Sequence, residues 1–115
     1  MPSPAGDPER FLPLHPLELR ILLVLWKESA HGYRIVKAIE ESDGGWNRIF
    51  PANLYRRVRD LLAQGLIEEA AAGGEGADPR RRYFQITPLG REVARLEARR
   101  LSELAADARD LLERS

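Results

Sequence analysis

Pro79-Arg80-Arg81-Arg82-Tyr83-Phe84-Gln85-Ile86-Thr87-Pro88-Leu89-Gly90 changes its hydrophobic period half-way along. From Arg82 to Thr87 the residues alternate, with Phe84 and Ile86 on one side, which is the pattern of a strand. Thr87-Pro88 then opens a helix, Thr supplying the N-cap oxygen and Pro a first-turn residue whose missing N–H costs nothing. Upstream, Ala71 to Pro79 is a Gly-rich loop and Leu66-Ile67-Glu68-Glu69-Ala70 reads as a partner strand, so the segment predicts a β-hairpin with a long tip. Downstream, neither Gly nor Pro interrupts Arg91 to Ser115. The resulting helix of about 28 residues would be about 42 Å long at 1.5 Å per residue, more than a domain of this size can cover. Its apolar stripe is Leu89, Val93, Leu96, Leu101, Leu104, Ala108 and Leu111, with Glu97 and Arg100 intruding. The distal part of such a stripe requires a partner.

Before the hairpin, Pro and Gly mark out three shorter helices. The first begins at Pro16, and its density of Leu17, Leu19, Ile21, Leu22, Leu23, Val24, Leu25 and Trp26 predicts burial on most sides, with Trp26 in the core. The second runs from about Gly32 to Ser42, with His31 as its cap and Tyr33, Val36 and Ile39 on an apolar face beside Ile35; Asp43-Gly44-Gly45 ends it. Trp46 follows in a connection and is expected to pack on the third helix. That helix runs from Pro51 to Gln64, with Gly65 as its stop. At 100° per residue Leu54, Val58, Leu61 and Leu62 share one arc, while Ala52, Asn53, Arg56, Arg57, Arg59, Asp60 and Ala63 lie opposite.

At 115 residues the chain fits one domain with one core. Residues 1–13 read as a flexible tail, 14–88 as the domain and 89–115 as its helical extension. The absence of cysteine excludes disulfides, thiol nucleophiles and thiolate metal sites. With only His15 and His31, sixteen residues apart, no metal site is expected, and no cofactor. The longest apolar run, Ile21 to Trp26, is far short of the roughly 20 residues that span a bilayer, and the N-terminus lacks the regions of a signal peptide; a cytoplasmic protein with no membrane partner is expected. Catalysis has no support: no nucleophile–base pair stands out, and Gly73-Gly74-Glu75-Gly76 lacks the Lys-Ser/Thr of a P-loop.

The predicted order is helix, helix, helix, strand, strand, long helix. This mainly α architecture with a small β-hairpin (α+β) is the order of a winged helix-turn-helix, whose third helix enters a DNA major groove while the hairpin wing lies along the backbone. Charge distribution agrees. Eighteen basic residues, sixteen of them Arg, balance eighteen acidic ones, yet residues 46–65 carry +3 and residues 80–91 carry +4, against −4 for the loop and strand between them. The candidate DNA-binding residues are Asn53, Tyr55, Arg56, Arg57 and Arg59 on the third helix and Arg80, Arg81, Arg82 and Tyr83 at the base of the wing. The wing tip carries no basic residue. A blander alternative is that these arginines are a solvated face balancing Glu68, Glu69, Glu75 and Asp78, or that the module binds an acidic protein partner.

His31-Gly32-Tyr33-Arg34-Ile35, Asn53-Leu54-Tyr55-Arg56, Gln64-Gly65-Leu66-Ile67-Glu68 and Pro79 through Gly90, in this order over about residues 14–95, resemble the PadR family of transcriptional regulators. The resemblance implies a homodimeric winged-helix repressor, dimerised largely through the C-terminal helix, bound to a pseudo-palindromic operator on double-stranded DNA and often released by a small-molecule effector. It places the family's Leu-Tyr tyrosine on Tyr55. The C-terminal helix has no Trp, Tyr or Phe, so an aromatic effector sandwich between subunits has no obvious source there.

Overall fold

Two glycines and one threonine fasten the end of one helix to the start of another. The computed structural model describes residues 7–42, 48–71 and 77–114. Helix α3 (Pro51–Ala63) ends in a Schellman turn: Gly65, at φ 75°, donates to Leu62 O at 3.1 Å, and Leu66 donates to Leu61 O at 3.0 Å. The left-handed conformation at Gly65 is one that a Cβ would strain. The chain then enters strand β2 (Ile67–Ala70) and returns along β3 (Tyr83–Ile86) to Thr87. Thr87 N donates to Leu66 O at 3.1 Å and its hydroxyl to Gly65 O at 2.7 Å, while Gly90 N donates back to the same hydroxyl at 3.0 Å. Gly90 lies so near that a Cβ there would fall 2.1 Å from the Leu66 carbonyl oxygen. Helix α4 (Pro88–Glu113) therefore starts in direct backbone contact with the end of α3.

The hairpin registers Ile67 opposite Ile86 and Glu69 opposite Phe84, as an antiparallel ladder requires. A two-residue strand, β1 (Ala30–His31), pairs on the far side of β3, so the sheet order is β1-β3-β2. Two residues are too few to show a period in sequence, and this strand was not anticipated. Its presence pairs the second edge of β3 and sets the His31 ring edge-on against Tyr83 at 5.3 Å; Tyr83 is buried, as are Phe84 and Ile86.

The core lies between α1 (Pro16–Lys27), α2 (Gly32–Ser42), α3, the sheet and the first turns of α4. Ile21, Leu22 and Leu25 meet Ile35 and Ile39, Leu54, Val58 and Leu61, and Val93 and Ala94. His15 caps α1, its Nδ1 accepting from Leu17 N at 3.1 Å, and Glu18 accepts from His15 N at 3.3 Å. His31 caps α2 as expected, its Nδ1 accepting from Arg34 N at 3.2 Å.

Four expectations change. Helix α1 is not covered on most sides: Leu23 is exposed, and it lines a groove of about 880 Å³ with Leu19, Val24, Ala38 and Leu101. Tyr33 stands exposed rather than on the apolar face, which is made by Ile35 and Ile39 with Val36 packed beside them. Trp26 is only half-buried, its ring held between the guanidinium groups of Arg91 at 4.5 Å and Arg95 at 5.0 Å. The segment counted with the N-terminal tail is structured from Asp7, with a 3-10 turn at Pro8–Phe11 and with Phe11 and Leu12 against the core. Trp46, the Asp43-Gly44-Gly45 stop and the glycines of the wing tip lie outside the described residues.

The intrusion of Glu97 and Arg100 into the leucine stripe now has a cause. Glu97 is buried, and its Oε2 accepts from Leu14 N at 2.7 Å while Arg100 clasps both of its oxygens. This pair ties the N-terminal segment to α4. The stripe itself divides: Val93 is fully buried in its own core and so is not open to a partner, while Leu89 is half-buried and packs against that core. Leu96 is half-buried, and every residue from 101 to 114, including Leu101, Leu104, Ala108 and Leu111, is exposed.

Candidate nucleic-acid interface

Helix α3 carries two chemically distinct faces because its apolar residues recur at helical spacing and its arginines fall between them. Leu54, Val58 and Leu61 are buried. Asn53, Arg56 and Arg59 are exposed, Arg57 is half-buried, and Tyr55 stands at the boundary, about half exposed. Among the described residues Arg56, Arg57 and Arg59 have no ion-pair partner. A row of unpaired guanidinium groups on a rigid, exposed helix is suited to phosphate oxygens and guanine edges, which it can engage through paired N–H donors.

The arginines at the hairpin base are held differently. Arg80 pairs with Asp78 at 3.2 Å, Arg81 with Asp78 at 3.6 Å and Arg82 with Glu69 at 2.6 Å. Asp78 organises the turn: its side chain accepts from Arg80 N at 2.9 Å and its own N–H donates to Tyr83 Oη at 2.8 Å. The Arg80 hydrogen bonds hold the Asp78 carboxyl below the usual carboxylate range, with Arg81 and His31 adding to the effect. Tyr83 departs from the expected role. Being buried, with its hydroxyl already accepting, it supports the turn from beneath instead of presenting a group to solvent.

Tyr55, Arg81 and Arg82 come together in the structure although 26 residues separate the first two in sequence. They line one recess with His31, Gly32, Tyr33 and Phe84. In the sequence His31 and Tyr33 mark only the start of a helix. Tyr33 is exposed, with Lys37 and Arg81 each 5.5 Å from its ring centroid, and His31 stacks edge-on to Tyr83 at 5.3 Å. Burial lowers the His31 pKa, and the nearby Arg81 and Arg34 charges lower it further against the pull of Asp78. Phe50, exposed just before α3, was also passed over. Among sequence signals only the neighbouring Gly-Tyr pair could have marked this corner, and it reads equally well as a helix start.

The comparisons fit this arrangement of three helices, hairpin and long final helix. The model of the PadR-like transcriptional regulator family matches residues 21–96, from α1 through the proximal part of α4. The chain belongs to the PadR family of transcriptional regulators. Among solved structures, it is similar to a PadR family transcription regulator from Clostridium difficile, with a TM-score of 0.73, 17% identity and coverage of 85% of this chain and 99% of that one. A PadR-like transcriptional regulator from Bacillus cereus gives a TM-score of 0.73 at 20% identity, over 84% of this chain and 90% of that one. In sequence, the chain is 33% identical over 88 residues to an uncharacterized 37.1 kDa protein in transposon TN4556 of Streptomyces fradiae; the match covers 76% of this chain and 24% of the curated relative. This PadR member thus spans about a quarter of that relative's length. Among its described residues no helix is long and apolar enough to cross a membrane, and no group of three or more His, Cys, Asp or Glu could hold a metal ion.

Proposed function

We propose that this PadR regulator is a homodimeric, sequence-specific binder of double-stranded DNA that represses transcription from a pseudo-palindromic operator. The observation that carries the reading is the exposed, unpaired arginine face of α3, continuous through Tyr55 with the basic base of the hairpin. Arg56, Arg57, Arg59 and Asn53 would read base edges and flanking phosphates in the major groove, with Arg80, Arg81 and Arg82 on the backbone beside it. Tyr55 would place its hydroxyl on a phosphate, and Tyr83 would position the wing arginines from beneath. Such a regulator would work in the cytoplasm, beside the DNA it binds.

Two copies are required by the same reading. The exposed leucines Leu104, Leu111 and Leu112 on the distal half of α4 match in character the apolar groove beside α1, of which Leu101 forms part of the wall and whose lining carries both basic and acidic residues. A small-molecule effector of the kind suggested by family membership would act by changing how the two α3 helices are spaced.

The test is equilibrium binding to duplexes selected from a random pool. Arg56→Ala with Arg57→Ala should weaken binding at least tenfold, since each good bidentate contact contributes about 1–3 kcal/mol, while the fold persists. Wild-type affinity in the double variant would move the recognition face elsewhere, and failure of the unaltered protein to bind any duplex at low salt would leave a protein-interaction module.

A further inference from the structure

The recess at the corner of α2, α3 and the hairpin has a volume of about 200 Å³. Its walls include an imidazole (His31), two phenols (Tyr33 and Tyr55) and two guanidinium groups (Arg81 and Arg82). Gly32 opens it: a Cβ there would lie 2.8 Å from Tyr55 Cε1 and 2.9 Å from Tyr55 Oη, so only glycine lets this ring lie flat against the start of α2. Hydroxyl and guanidinium donors around a small opening suit an anion with several acceptor oxygens and no need of base edges, which is the chemistry of a phosphodiester.

Resting on the DNA-binding reading, we propose that this recess seats one backbone phosphate of the bound duplex, and that His31 takes up a proton from solvent when the phosphate enters. In the free protein His31 Nδ1 is an acceptor, taking the Arg34 N–H at 3.2 Å and facing Arg81 Nη1 at 3.2 Å. The ring is therefore neutral, with its proton on Nε2. Several groups face it. Arg34 on its own helix and Arg81 of the hairpin oppose a second proton and Asp78 favours one, while Tyr83 meets the ring edge-on at 5.3 Å and Tyr33 stacks on it at 6.4 Å, with Lys37 beyond the Tyr33 ring. A phosphate between His31 and Arg81 adds the negative charge that this balance lacks. The proton then goes to Nδ1, which becomes a donor to a phosphate oxygen. The phosphate takes over as acceptor for the released Arg34 N–H and draws Arg81 away from Asp78. Burial and the two arginines hold the free-state pKa of His31 below its ordinary value, so uptake on binding falls near and below neutral pH.

Because a phosphate seat is indifferent to sequence, a mixed-sequence duplex at fixed low ionic strength is a sufficient probe. Lowering the pH from about 7.5 to about 5.5 should tighten binding of the unaltered protein roughly three- to tenfold, inside the limit of about a hundredfold that one proton linked across two pH units allows. Calorimetry near pH 6.5 in two buffers of different ionisation enthalpy should register the proton taken up. His31→Asn keeps an N-cap acceptor but cannot titrate. Whatever its affinity at the higher pH, it should lose both the pH slope and the proton uptake. The same pH slope in His31→Asn, or no uptake by the unaltered protein, would overturn the proposal while leaving the DNA-binding reading intact. Absence of duplex binding at every pH would overturn both.

Discussion

Single atoms decide whether this fold closes. At Gly90 the backbone of α4 approaches Leu66 so closely that a methyl group has no room, and the obstacle is a carbonyl fixed by its own hydrogen bond from Thr87. Gly90→Ala should lower stability by about 2 kcal/mol or more, the cost of forcing two packed backbones apart, and chemical denaturation will measure it. Glu97 acts in the opposite sense, as an anion the core retains because it is fully engaged. Glu97→Ala leaves the Leu14 N–H without its acceptor and should cost about 1.5–3 kcal/mol. The Arg100 hydrogen bond, with the Leu14 N–H adding to it, holds the Glu97 carboxyl below its ordinary pKa. A folded pKa below the unfolded one means that this stabilisation is full above the ordinary carboxylate range and is lost as pH falls through the lowered folded value. In Glu97→Gln the loss of stability on acidification should be correspondingly shallower. His31 has the same sign: its lowered pKa favours the fold with the ring neutral, so its contribution declines as pH drops below about 6.5.

At the scale of elements, the hairpin and its flanking helices show where sequence suffices. Periodicity located α1, α2, α3 and both hairpin strands to within a residue or two, because each presents one face to a single core and ends at a Pro, a Gly or a capping side chain. What escaped were features set by contact between distant segments: the two-residue β1, the burial of Tyr83 beside it, and the meeting of His31 and Tyr33 with Tyr55 and Arg81. The leucine stripe misled for the same reason, since a helix that leaves its domain half-way has one apolar pattern and two destinations. Pairing of the hairpin arginines with Asp78 and Glu69 also bears on how the wing works. Each arginine must exchange a carboxylate for a phosphate on binding DNA, so its net contribution is smaller than that of an unpaired α3 arginine. Arg81→Ala should reduce the slope of log affinity against log salt by about one unit, with only a small loss of affinity at low salt. An unchanged slope would place the wing away from the backbone.

At the scale of the whole molecule, the proposed DNA-binding role makes dimerisation a condition of selectivity. The net charge is zero, so a single copy has little long-range attraction for DNA and one α3 helix reads only a few base pairs. Two copies whose α3 helices lie roughly 34 Å apart would engage successive major grooves on one face of the duplex, adding their base contacts at one site. The proposed means is the part of α4 beyond the domain, where Leu101 and Leu104 are exposed on a helix already anchored by Val93 and Glu97. Leu101→Lys with Leu104→Lys removes that apolar surface without touching a buried residue. The variant should unfold at nearly the same denaturant concentration as the unaltered protein when both are dilute, yet sediment as a monomer at micromolar concentration. Its affinity for a two-half-site operator should fall by far more than tenfold, while binding to an isolated half-site stays unchanged, because only the second contact has been made independent of the first. If the double variant remains dimeric, the leucines of α4 are not the interface, and the spacing of the recognition helices must be set by another surface.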